Sequence, residues 1–275
     1  MSFPLLPRRA FLKAAGSVVG AGLGAGLYAW RIEPHWIDVV ERPLTLPGLP
    51  PGLAGRRLVH LSDLHIGPQV SESYLRHTFE RVKAMAPDVV VYTGDFTSHS
   101  GDGLAQARRM FPHLPLGSRA TLGILGNHDY GPNWAHPEIA ERGAGLAGEA
   151  GVRILRNEVV DLGGLKVAGL DDLWAGRFDV APVQDAALVL SHNPATVDLP
   201  GWDGFAGWIL SGHTHGGQCK PPFLPPPLLP VKNQRYTRGA IDLGWRRQMY
   251  INRGLGHLIQ VRFNVRPEIT VFTLG

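Results

Sequence analysis

An α/β fold is expected of this chain because short, apolar, β-rich runs alternate with segments of helical period, and because polar clusters follow one run after another. Leu58-Val59-His60-Leu61-Ser62 reads as a buried strand, as do Asp88 to Thr93, Thr121 to Leu125, Ala187 to Leu190 and Trp208 to Leu210. Ser71 to Met85, Leu104 to Phe111 and Pro137 to Ala150 carry the helical pattern. The length agrees. Of 275 residues, about 245 remain after an apolar leader, which suits a single layered core.

Taken in order, residues 1–30 form a leader, 31–57 a lead-in and 58–275 the main domain. In the leader, Arg8-Arg9-Ala10-Phe11-Leu12-Lys13 precedes an uncharged Gly/Ala-rich stretch from Ala14 to Trp30, the pattern of a twin-arginine export signal. No Ala-x-Ala triplet follows, and seventeen uncharged residues approach the length of a bilayer span, so retention as an anchor is expected. Gly16, Gly20 and Gly24 have small-xxx-small spacing but do not by themselves argue for a dimer. The lead-in is Pro-rich, with an edge strand at Ile37 to Val40. Gly163-Gly164 reads as a hairpin turn between Val159 to Leu162 and Leu165 to Leu170. Gln248 to Asn252, Gln260 to Asn264 and Ile269 to Leu274 read as strands closing a second sheet. Eleven residues from Lys220 to Pro230 hold six prolines, which forbid a helix or central strand. The Phe and Leu side chains of that loop are expected to pack onto the domain, the alternative being an apolar lip that touches lipid.

The chemistry lies in the clusters after the strands. Asp63-x-His65, Gly94-Asp95, Gly126-Asn127-His128-Asp129, Ser191-His192 and Gly212-His213-Thr214-His215 each follow an apolar run. Carboxylate, amide oxygen and imidazole together suit divalent ions such as Mn, Fe or Zn, whereas a thiolate site needs more than the single Cys219. Five strands delivering such groups at their C-terminal ends is how loops at a sheet edge build a two-metal site.

These motifs resemble the calcineurin-like metallophosphoesterases over most of the chain. Gly212-His213-Thr214-His215-Gly216-Gly217-Gln218, Asn252-Arg253-Gly254-Leu255-Gly256, Arg262-Phe263-Asn264 and Arg266-Pro267-Glu268 look like the branch of small exported bacterial phosphodiesterases. The resemblance implies a four-layer αββα sandwich of two mixed β-sheets flanked by helices. It assigns Asp63, His65, Asp95 and His215 to one metal, and Asn127, His192 and His213 to a second, with Asp95 bridging. It implies attack by a metal-bridging hydroxide on a phosphodiester or pyrophosphate. His128 is the expected catalytic residue, protonating the leaving oxygen or stabilising charge building on it, with Asp129 or another neighbour orienting its ring.

The remaining features are read more plainly. Asp171-Asp172 is expected in a turn or cap rather than lining the cleft, and Cys219 as a small buried side chain. His35, His60, His77, His99, His113, His136 and His257 are expected as surface or hydrogen-bonded histidines. The formal charge is +4, of which Arg8, Arg9 and Lys13 supply three, so the domain is near neutral and no nucleic-acid partner is expected. Locally, Lys232, Arg235, Arg238, Arg246, Arg247, Arg253, Arg262 and Arg266 face one acid, Asp242, between residues 231 and 266. That excess either flanks the cleft or is solvated. The expected substrate sits at the cell envelope and is lipid-linked in one reading; the protein works in the periplasm or on the outer face of the membrane. A UDP-diacylglucosamine-type pyrophosphohydrolase of lipid A assembly is the alternative, against which export argues. A non-catalytic scaffold is disfavoured because every ligand position is filled.

Overall fold

The computed structural model describes residues 7–98 and 103–275, so His99 lies outside the described residues. The chain runs α1 (Arg8–Leu27), β1 (Asp38–Leu44), β2 (Arg57–Leu61), α2 (Glu72–Ala84), β3 (Val89–Thr93), α3 (Gly103–Met110), β4 (Ala120–Ile124), α4 (Pro137–Glu149) and β5 (Arg153–Ile154). It continues through β6 (Glu158–Asp161), β7 (Lys166–Gly169), β8 (Leu188–Leu190), β9 (Gly207–Ser211), β10 (Gly239–Gly244), β11 (Arg247–Ile251) and β12 (Glu268–Leu274). Among the described residues the strands form two mixed sheets of six, ordered β1-β12-β2-β3-β4-β5 and β10-β11-β9-β8-β7-β6.

Side-chain alternation along each strand explains why two sheets stack. Leu58, Val89, Val91, Leu122 and Ile124 of the first sheet meet Val167, Leu188, Leu190 and Leu210 of the second in one buried cluster. The intervening Val59, Leu61, Val90 and Tyr92 turn the other way, onto Leu75, Phe79 and Val82 of α2, Met110 of α3 and Ala147 of α4. Strands apolar on both faces are what the continuous hydrophobic runs anticipated. The outer face of the second sheet, with Val189, Ile209 and Met249, packs under Val183, Trp202 and Tyr236 from short 3₁₀ turns and loops. Helix α2 starts where Ser71 Oγ accepts a hydrogen bond from the Tyr74 amide at 3.4 Å.

Several expectations are corrected. The last strand does not close the second sheet: β12 lies inside the first, parallel to β1 and antiparallel to β2. Residues 260–264 are not a strand but an irregular segment with a single bridge, Cys219 to Phe263. The alternating Val261 and Phe263 mimicked a strand, but Arg262 is fully buried and donates to the carbonyls of Arg253, Gly254 and Gly256. Cys219 is half-buried rather than buried. The Pro-rich loop packs only part of its apolar surface: Leu229 is half-buried against the outer-face cluster, whereas Phe223, Leu224 and Leu228 are exposed.

Two features position the N-terminal region. Helix α1 has no buried residue, and the helical stretch Arg8–His35 is long and apolar enough to cross a membrane. At its base, Glu33 is buried and accepts from the Val265 amide, while the Ala29 carbonyl accepts from the Arg262 amide at 2.9 Å. The edge strand is longer than expected, and Asp38 at its start pairs with Arg253 and Arg266, each at 2.9 Å. Part of the C-terminal basic excess is thus used in tying the lead-in to β12.

Candidate metal centre

All five loops that carry candidate ligands converge at one edge of the stacked sheets, because β2, β3 and β4 run parallel in the first sheet and β8 and β9 parallel in the second. Strands in register deliver their C-terminal ends to the same side. Three of these loops then turn sharply. Asp63, His65, Asp95, His213 and His215 adopt φ values of 51°, 46°, 52°, 69° and 50°, a left-handed conformation that L-residues rarely take. Gly212 allows the approach: a Cβ there would lie 1.9 Å from Ser62 Oγ and 2.3 Å from Asp63 Oδ2. The Gly212-His213 turn instead lets the His213 amide donate to the Asp63 carboxylate at 3.1 Å.

Two groups result, Asp63–His65–His215 and Asp95–His192–His213, with donor atoms in each within 4.8 Å of one another. His65 Nε2 faces His215 Nε2 at 3.0 Å, and His215 Nε2 lies 3.3 Å from Asp63 Oδ1. His213 Nδ1 is 3.2 Å from His192 Nε2. Asp95 stands between the groups, its Oδ2 3.2 Å from His192 Nε2 and 3.7 Å from His65 Nε2. His192 is aimed by its other nitrogen, which donates to the Thr93 carbonyl at 2.7 Å. Such a second bond fixes ring orientation at metal-binding histidines.

The chemistry of this donor set fits cations. Asn127 is fully buried, yet neither its Oδ1 nor its Nδ2 has a partner, and an unsatisfied buried amide is costly. Imidazole nitrogens converge on each other and on carboxylates, an arrangement that satisfies their lone pairs when a divalent ion sits among them. Burial alone would raise the Asp95 carboxyl, but His192, His128 and His65 hold it well below the usual carboxylate range. His213 is lowered as well, to about 3, here first by burial and then by His192, which keeps its ring neutral and its lone pair free.

Residues 56–217 match the family model of the calcineurin-like phosphoesterases. The chain is also similar to an uncharacterized metallophosphoesterase, YkuE, of Bacillus subtilis strain 168, at 33% identity over 98% of both chains. The protein belongs to the calcineurin-like phosphoesterases. It is 30% identical to phosphodiesterase YaeI of Escherichia coli K12, over 98% of this chain and 100% of that one. UDP-2,3-diacylglucosamine pyrophosphatase LpxG of Chlamydia muridarum is 26% identical over 93% and 94%. As a member of this family the protein is a metal-dependent phosphoric ester hydrolase using two divalent ions.

Around the phosphoesterase centre the structure adds residues that sequence reasoning missed. His128 donates its amide to Asp95 Oδ1 at 2.9 Å, and its ring meets His65 and Trp134 edge-on, with centroids at 5.1 and 5.9 Å. Asp129 does not orient that ring. Its carboxylate accepts from the amides of Phe96, Thr97 and Gly126, fastening the loop after β3 to the loop after β4. Trp134 stacks on Trp174 at 5.2 Å, and Trp174 meets His213 at 4.6 Å, so two indoles wall the site. No sequence pattern singled out either indole. Ser62 Oγ donates to Asp63 Oδ2 at 2.5 Å and accepts from Thr93 Oγ1 at 2.8 Å. Asp172 makes the expected turn, accepting from the amides of Trp174 and Ala175 at 2.8 Å, while Asp171 is buried against Tyr130 and Arg156. Of the histidines outside the clusters, His60 and His257 are buried and hydrogen-bonded, to Thr93 Oγ1 and the Gln69 carbonyl.

Proposed function

We propose that this phosphoesterase hydrolyses phosphodiester or pyrophosphate bonds of a cell-envelope substrate, held at the membrane by α1 with its catalytic body exported. The observation that carries the catalytic reading is Asp95, one carboxylate within 3.7 Å of an imidazole from each group. In this reading Asp63, His65, Asp95 and His215 hold one ion, Asn127, His192 and His213 hold the other, and Asp95 serves both. Mn, Fe and Zn all suit these ligands. A bound pair of divalent ions lowers the pKa of water and stabilises the charge on a transferring phosphoryl group.

The chain's own residues do the rest. His128, edge-on to His65 at the mouth of the first group, protonates the leaving oxygen. The Asp129 carboxylate holds the two loops carrying Asp95 and His128 at fixed separation, so the proton donor does not drift from the carboxylate. Ser62 and Thr93 orient Asp63 and His192. Residues 1–30, with Arg8-Arg9 opening the apolar helix, serve as twin-arginine-type signal and anchor; residues 58–275 carry the catalysis. The lead-in of residues 31–57 belongs with that body through the β1–β12 pairing.

Full-length protein, stripped of metal and reloaded with Mn, Fe or Zn, would be assayed on an aryl phosphodiester and on a UDP-linked diacylglucosamine side by side. Turnover of the diester supports the phosphodiesterase reading, and strong preference for the sugar nucleotide replaces it with the activity named for the Chlamydia relative. His128→Ala is expected to keep both ions and lose roughly 10² to 10⁴ in kcat; loss of metal in that variant defeats the proton-donor assignment.

A further inference from the structure

The base of α1 is not a bare tether. Beside it lies a rim of exposed apolar side chains: Trp30, Ile32, Ile259, Phe223, Leu224 and Leu228. They come from three separate segments stitched together by hydrogen bonds. Gln260 Nε2 donates to the Trp30 carbonyl at 3.0 Å, Gln218 Nε2 to the carbonyls of Ile259 and Val261 at 3.0 and 2.9 Å, and the Lys220 amide to Phe263 at 2.8 Å. Solvated loops seldom present aliphatic and aromatic side chains grouped in this way, and such patches mark interaction sites.

We propose that this rim seats the catalytic body on the lipid bilayer that α1 enters, so that the metal centre opens at headgroup level and takes phosphoesters of membrane-embedded amphiphiles. The occupant is a bilayer because the rim is continuous with a helix that is apolar, unburied and long enough to cross one. The polar surroundings match that setting. Arg31 lies over the Trp30 ring at 4.0 Å, and Arg266 over Trp36 at 4.9 Å, pairing aromatic rings with cations as interfacial surfaces do. Half-buried Arg238 lines an open pocket of about 320 Å³ with Tyr28, Trp36, Glu33 and Asp38; Asp38 is paired with Arg253 and Arg266, and among the described residues Arg238 has no ion-pair partner, its guanidinium donating to the Asn264 carbonyl. A cation so placed is free to meet a lipid phosphate.

Proximity to the reaction follows from Gly216 and Gly217, next in sequence to His215. A Cβ on Gly217 would lie 2.3 Å from Pro226 Cβ, so the proline loop is folded directly over the ligand-bearing turn; one on Gly216 would lie 3.4 Å from Arg238 Cδ. The rim and the pocket thus border the metal centre rather than the far side of the body. Delivery of an amphiphilic substrate rests on the hydrolase reading above; the seating itself does not.

The test uses the full chain reconstituted in vesicles of phosphatidylglycerol and phosphatidylethanolamine, where α1 keeps every variant on the membrane. A thiol-directed fluorophore is attached through Leu228→Cys in a Cys219→Ser background and, as the control, through Trp245→Cys in the β10–β11 turn at the opposite strand end. Quenching by lipid-borne bromine at position 228 but not at 245 is expected; equal quenching at both positions, or none at 228, overturns the seating. In parallel, Phe223→Ser/Leu224→Ser/Leu228→Ser is expected to lower turnover of a vesicle-embedded phosphodiester by roughly tenfold or more, while turnover of a soluble aryl diester stays unchanged. Equal turnover of the embedded diester by variant and wild type overturns the delivery role. Absence of metal-dependent turnover in the wild type itself removes the hydrolase reading, and the quenching result still decides the seating.

Discussion

Asp63, His65, Asp95, His213 and His215 share a left-handed backbone, a conformation that costs on the order of 1–3 kcal/mol for each such residue. Surrounding contacts hold them there: the His213 amide on Asp63, Asp129 on the neighbouring loop, and Ser62 on Asp63 Oδ2. The order and type of the candidate ligands were legible because each cluster is contiguous and follows an apolar run. Their supporting bonds were not, since they join residues such as Ser62 and Thr93 that carry no distinctive pattern. Trp134 and Trp174 were equally silent, because a lone indole in a loop has no period to reveal what it touches. Ser62→Ala is expected to leave the fold intact and weaken metal affinity by roughly 10- to 100-fold, as loss of a hydrogen bond to a ligating carboxylate does. Metal titration of the stripped protein reads this directly, and unchanged affinity removes Ser62 from the supporting shell.

At the level of elements, strands buried on both faces announced themselves and their order did not. Val89-Val90-Val91-Tyr92 is apolar throughout because Val89 and Val91 face the second sheet while Val90 and Tyr92 face α2 and its neighbours. The same property left β12 free to be assigned to either sheet, since Ile269 and Val271 point to one core and Phe272 and Leu274 to another. Residues 260–264 failed for a different reason: their alternation places an arginine inward, where it serves four backbone carbonyls. Phe272 is fully buried and meets Tyr250 of β11 edge-on at 5.2 Å, so it joins the two sheets across the central core. Phe272→Ala is expected to destabilise the protein by about 3–5 kcal/mol. Denaturant unfolding checks it, and a cost near that of a surface substitution is incompatible with a central β12.

For the molecule as a whole, acid is the expected weakness even without metals. Burial lowers His60 to about 3, and burial with Arg262 lowers His257 to about 4, both from an ordinary value near 6.5. Below 6.5 the unfolded chain takes up protons that the folded chain refuses, so stability is full above that pH and falls as the pH drops toward about 4 and then 3. Unfolding midpoints of chelator-treated protein between pH 7 and 4, with His257→Gln flattening part of the slope, test the sign; stability rising toward acid contradicts it.

Each candidate metal group is assembled from distant parts of the sequence. His65 and His215 are 150 positions apart, and Asp95 and His213 come from different sheets. Neither group comes together in a stretch shorter than Asp63 to His215 for the first or Asp95 to His213 for the second. A copy truncated or misfolded within those spans is expected to be unable to assemble the centre, so hydrolysis waits on both the completed fold and the bound ions.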